Sequence, residues 1–244
     1  MIEKAVAIPT ADGMADGFLY QPEAQGRWPG VVFLTDIFGI RSASQGMARR
    51  LAALGYTVLL PNIFYRVAKP PVFDFQPSFG EERTMKRLGE LRAAVPIDAQ
   101  ERDNTAYLDF LGKQESARAP IGVVGYCLTG SMAMRMAAAH PDKIAAVASF
   151  HGGGLFTEAP DSPHMLLPRI KGQMYFGHAT DDRSMPAEAI AKFEKALGAS
   201  AGKFQSETYD APHGWSVPGS PMYREPEAEK AFQKLTELLR AALK

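Results

Sequence analysis

Residues 120–130, PIGVVGYCLTG, run from an apolar stretch directly into a cysteine flanked by glycines, and SMAMRMAAAH (131–140) follows. The first seven residues read as a buried strand, and LTGSMAMRMAAAH reads as a helix apolar nearly all round. Cys127 therefore sits on the sharp turn between a strand and a helix. Gly125 relieves crowding in such a turn, and the helix N-terminus that follows favours a thiolate. A lone cysteine in an apolar stretch is ordinarily a small buried hydrophobe. What distinguishes the two readings is what lies at the ends of the other strands.

Those strands are legible on both sides. AVAIPT (5–10) and GFLYQ (17–21) flank the turn signal ADG. PGVVFLTD (29–36) and YTVLLPN (56–62) are near-continuous apolar runs, as strands covered on both faces are. Further strands are expected at IAAVASF (144–150), GQMYFGHA (172–179) and FQSETYD (204–210). Between them Met47, Leu51 and Leu54, then Ile190, Phe193 and Leu197, recur at helical spacing, and helices are expected near 81–93, 97–111 and 225–244. Residues 63–80 hold prolines and aromatics without a period, which predicts a long loop or a lid over a site. This alternation predicts an α/β fold in one domain, residues 1–244, with a mostly parallel sheet and helices on both faces.

Composition narrows the class. Lys+Arg and Asp+Glu both number 27, so the chain carries no footprint for nucleic acid or an anionic membrane. One cysteine makes no internal disulfide and fits a reducing compartment. The N-terminus does not read as a signal peptide, and no apolar run approaches a membrane span, so a cytoplasmic location is expected. There is no H-x-x-x-H or H-x-H pair for a metal, and no G-x-G-x-x-G after the first parallel strand for a dinucleotide. No cofactor is expected.

In open parallel sheets the chemistry lies beyond the carboxyl ends of the strands. GHATDDRSMP (177–186) leaves one strand with Asp181 and Asp182, and YDAPHGW (209–215) leaves the last with His213 in a Pro/Gly turn. Nucleophile, acid and histidine then follow in the α/β-hydrolase order. A cysteine amidotransferase or peptidase on a similar elbow usually places acid and histidine close together. The 31 residues between Asp182 and His213 oppose that reading.

With GYCLTG, DRSMP and PHGW in order, and TDIFG (35–39) and GYTVLLPNIF (55–64) ahead of them, the chain resembles the dienelactone hydrolase family of α/β-hydrolases over nearly its full length. The resemblance implies Cys127 as nucleophile, Asp182 as acid and His213 as base, with the N–H groups of Ile37 and Leu128 as the oxyanion hole. It implies a small ester or lactone as substrate. Asp36 stands where the family's dienelactone enzymes usually carry a Glu that interacts with the resting thiol.

Two departures matter. Thr129 occupies the usual glycine position two residues after the nucleophile, and Asp36 is one methylene short of Glu. Together they keep open a catalytically silent family member that acts as a small-molecule binding module. The family's second substrate-binding arginine has no counterpart in SVPGS (216–220), while Arg83 and Arg87 are candidates for the first. Dienelactone itself is therefore not the expected substrate.

Other residues have plainer readings. Asp181 is expected to be a solvated neighbour of the acid. Tyr126, beside the nucleophile, is a candidate for shaping the site. His151, in SFHGGG, is expected in the cleft wall and not in the triad. His178 is expected at a strand end near the acid turn, and His140 and His164 on the surface or in loops. Arg135 is expected to snorkel or pair. Phe38, Phe73, Phe75 and Trp215 are candidates for pocket walls, with core packing the equal alternative.

Overall fold

Strand polarity and two-residue alternation explain how the chain is layered. The computed structural model describes residues 1–244. In chain order the strands are β1 (Ile2–Thr10), β2 (Gly13–Gln21), β3 (Trp28–Leu34), β4 (Thr57–Pro61), β5 (Ala117–Tyr126), β6 (Ile144–Phe150), β7 (Gln173–Asp181) and β8 (Phe204–Pro212). They form one eight-stranded sheet in the order β1-β2-β4-β3-β5-β6-β7-β8. β1 pairs with β2, and β2 with β4, antiparallel; every other pairing is parallel.

The helices are α1 (Ser42–Ala53), α2 (Glu82–Ala93), α3 (Ile97–Gly112), α4 (Thr129–Ala139), α5 (Ala187–Ala199) and α6 (Glu225–Ala242). They cover both faces, which is why the central strands carry continuous apolar runs such as VVFL and VLL. On β3, Val32 and Leu34 join the core that holds Leu108, Met132 and Phe193 of α3, α4 and α5. Val31 and Phe33 join the opposite core, with Leu51 of α1 and Leu235 and Leu239 of α6. Val123 and Val124 of β5 divide in the same way. Each such buried side chain contributes about 1.5–3 kcal/mol.

Element boundaries shift in informative places. The run 29–36 stops being strand at Leu34, because the Asp36 carboxylate takes the Phe38 N–H (3.0 Å) and starts a turn. The strand expected over 172–179 continues to Asp181, which still pairs with Pro212 of β8. Residues 163–169 form a 3-10 helix that periodicity does not announce. Residues 63–80 carry no long regular element, and they are anchored by buried Phe64 and Val72. No helix is long and apolar enough to cross a membrane.

Candidate active site

The carboxyl ends of β5, β7 and β8 converge on three side chains. At the end of β5, Cys127 adopts φ 57°, a left-handed conformation that costs a non-glycine residue on the order of 1–3 kcal/mol. The surroundings hold it there. The Cys127 N–H donates to Phe150 O on β6 (3.1 Å), and Cys127 O accepts from Gly130 N (3.2 Å) and Gly153 N (3.3 Å). A Cβ on Gly125 would lie 2.1 Å from Thr129 O, so only glycine permits the chain to double back so tightly.

Thr129 completes the turn. Its hydroxyl accepts the Tyr126 N–H (2.8 Å) and shares its own proton between Leu34 O (3.1 Å) and Tyr126 O (3.0 Å). The residue is fully buried and ties the elbow to the end of β3. The departure from glycine therefore leaves the sharp turn intact, because this threonine satisfies backbone groups that the turn frees. Gly130, one place later, supplies the close approach: a Cβ there would meet Ser149 Oγ at 2.3 Å.

Asp182 lies just past β7 and His213 just past β8. The β7–β8 register brings them together, and the His213 N–H donates to Asp181 O (3.1 Å). His213 Nδ1 lies 2.6 Å from Asp182 Oδ2, and Nε2 lies 3.0 Å from Cys127 Sγ. A carboxylate can only accept, so Asp182 fixes Nδ1 as the donor and turns Nε2 to the sulfur. The other carboxylate oxygen accepts from Ser184 N (2.8 Å) and Ser184 Oγ (2.6 Å). Asp181 is exposed and makes no such contact.

The electrostatics follow from these partners. Burial alone would push the His213 pKa down, but the Asp182 carboxylate and the Cys127 sulfur outweigh it and raise it to about 10. Burial likewise opposes the Asp182 charge, and the bonds from His213 and Ser184 hold its pKa below the ordinary 3.8. The Ile37 and Leu128 N–H groups donate to no other group of the protein. Both follow strand ends that lie side by side, since Leu34 pairs with Gly125. No three His, Cys, Asp or Glu side chains are grouped as metal ligands would be.

The remaining candidates divide sharply. Asp36 makes no bond to the thiol. The residue is buried, 7% exposed, and its carboxylate pairs bidentately with Arg41, at 2.6 and 2.7 Å. One methylene shorter than Glu, it closes on the arginine five residues ahead. Tyr126 and Trp215 are core residues: Tyr126 stacks on Phe33 and Phe150, and Trp215 is fully buried against Tyr209. His151 is buried behind His213, its ring 5.0 Å away and its Nε2 2.9 Å from Ser216 Oγ. Phe38 meets Phe73 and Phe79, with centroids 5.6 and 5.7 Å apart.

Arg83 and Arg87 line a cleft of about 470 Å³ to which Cys127, Asp182 and His213 contribute nothing. His178 is buried within β7, not at its end, between Phe176 and Phe193. His140 and His164 lie at a helix end and in the 3-10 helix, and Arg135 donates to Asp161 O (2.8 Å). Sequence reasoning missed Ser184 and Arg41. Ser184 lies inside the quoted DRSMP motif, and an Asp-x-Ser spacing is the signal of an Asx turn that would have found it.

The sequence pattern of the dienelactone hydrolase family matches residues 15–243. A Rhodococcus opacus carboxymethylenebutenolidase is 29% identical over 79% of this chain and 72% of its own. A Pseudomonas putida carboxymethylenebutenolidase is 27% identical over 72% of this chain and 73% of its own. The crystal structure of an Anabaena variabilis dienelactone hydrolase superposes with a TM-score of 0.71 at 19% identity, covering 100% of this chain and 99% of that one. An elbow, an acid and a histidine at the ends of β5, β7 and β8 of an α/β-hydrolase sheet thus accompany a match over nearly the whole chain, and the chain belongs to the dienelactone hydrolase family of hydrolases.

Proposed function

We propose that the chain hydrolyses a small carboxylic ester or lactone through Cys127, with His213 and Asp182 completing the triad. The observation that carries this reading is the unbroken line from Asp182 through His213 Nδ1 and Nε2 to Cys127 Sγ, at 2.6 and 3.0 Å. His213 Nε2 takes the thiol proton, and the Asp182 carboxylate on Nδ1 stabilises the imidazolium that forms. The sulfur attacks the carbonyl carbon, and the carbonyl electron pair moves to the oxygen, held by the N–H groups of Ile37 and Leu128. The intermediate collapses to a thioester as the C–O bond breaks, and the His213 proton passes to the leaving oxygen.

Neutral His213 then takes a proton from water, whose oxygen attacks the thioester carbonyl. Collapse releases the acid and restores the sulfur–imidazolium pair. Asp182 keeps Nδ1 as donor throughout. The whole chain acts as one domain on a small molecule, without cofactor, and a lone free cysteine suits the reducing cytoplasm.

The test is a panel of esters and lactones assayed on wild type, Cys127→Ala and His213→Ala. Both variants are expected to lose about 10²–10⁴ in kcat. Wild-type rates in both would remove the triad assignment.

A further inference from the structure

We infer that the site is built for an uncharged ester or lactone bearing an aromatic or apolar group, and that the Asp36–Arg41 pair sets this preference by neutralising the arginine that sits on the Ile37 turn. The inference rests on the reading of Cys127 as nucleophile. Ile37, whose N–H is offered to the oxyanion, stands between Asp36 and Phe38 in sequence. Whatever lies on Phe38 and Arg41 therefore meets the substrate next to its carbonyl.

The pair is fastened to that turn: Asp36 Oδ1 accepts from both the Phe38 N–H (3.0 Å) and Arg41 Nη1 (2.6 Å). The Arg41 guanidinium is 5.3 Å from the Phe38 ring centroid and partly open to solvent. Left free, it would grip a substrate carboxylate bidentately. Asp36 already occupies that fork with both oxygens, and Arg41 Nη1 also donates to Gly39 O (3.3 Å). A substrate carboxylate would have to displace a carboxylate held covalently at hand. Two arginines farther along the chain have single carboxylate partners: Arg83 bonds Asp74 (3.0 Å), and Arg87 bonds Glu90 (2.8 Å) and Val72 O (3.0 Å).

What the turn after β3 offers instead is ring surface. Phe38 and Phe73 pack together, and Phe79 meets Phe38 edge-on while its own side chain stays 67% exposed. A large exposed aromatic residue beside two packed ones leaves apolar area that a substrate ring covers favourably.

The experiment measures kcat/KM for phenyl acetate and 4-carboxyphenyl acetate, which differ by one carboxylate on the leaving group. Wild type is expected to prefer phenyl acetate about tenfold. Asp36→Asn, which frees Arg41, narrows that ratio; Arg41→Gln, which leaves Asp36 unpaired, widens it. Phe79→Ala lowers kcat/KM for phenyl acetate about threefold, through KM. A general folding defect would move both substrates together and leave the ratio fixed. A wild-type preference for the carboxylated ester, or a ratio that is unchanged or moves the same way in both charge variants, overturns the inference. Failure of the underlying reading is separate: it appears as hydrolysis of either ester that survives in Cys127→Ala.

Discussion

His213 and His151 lie with ring centroids 5.0 Å apart and are driven in opposite directions. His213 has a carboxylate on one nitrogen and a sulfur on the other, and its pKa rises to about 10. His151 has only a serine hydroxyl on Nε2, and its Nδ1 has no partner. Burial, reinforced by the neighbouring His213 charge, keeps it neutral well below the ordinary 6.5. Burial acts against the charge of both rings. A partner of opposite sign is what separates the imidazole that carries a proton from the one that cannot. Two cations side by side would repel, so the neutral ring is the compatible neighbour of the charged one.

The contrast breaks most severely at Asp182. Asp182→Asn removes the charge that holds the imidazolium, and kcat is expected to fall about 10²–10⁴-fold. In the same variant, NMR titration should find His213 well below 10 and His151 still neutral. A His213 that titrates unchanged would show that the sulfur alone sustains it.

A smaller effect lies in stability against pH. The folded-state pKa of His213 is raised, so its contribution is fully present below about 6.5 and is lost as pH rises through about 10. Asp182 is shifted downward, so its contribution is present above about 3.8 and lost as pH falls through the depressed value. The Tm gap between wild type and Asp182→Asn should therefore be widest between those limits, about pH 4–6.5, at a few degrees, and should close toward pH 10. A gap that widens with pH would reverse the assigned sign.

Legibility in the sequence followed the physics of burial. β3, β4 and β5 are apolar at successive positions because helices cover both faces, so VVFL, VLLP and GVVGY declared themselves. The convergence of Cys127, Asp182 and His213 was legible for a related reason: each directly follows a strand, at the sheet edge where the chain must turn. What escaped depends on contacts that spacing does not carry. Thr129 looked like a defect until its hydroxyl was found on Leu34 O, a contact across 95 residues.

Tyr126, a candidate for shaping the site, and Trp215, open to pocket wall or core packing alike, both point into the core. On β5 the alternation that sends Val124 to that face sends Tyr126 there as well. Asp36 stands where the family's Glu meets the thiol, and a local turn takes its shorter side chain to Arg41 instead.

The most direct test is the rate of iodoacetamide alkylation of Cys127 at pH 7, in wild type and His213→Ala. A sulfur held against an imidazolium at the start of α4 should react at least about tenfold faster in wild type. Equal rates in the two proteins would contradict the claim that His213 makes Cys127 a nucleophile.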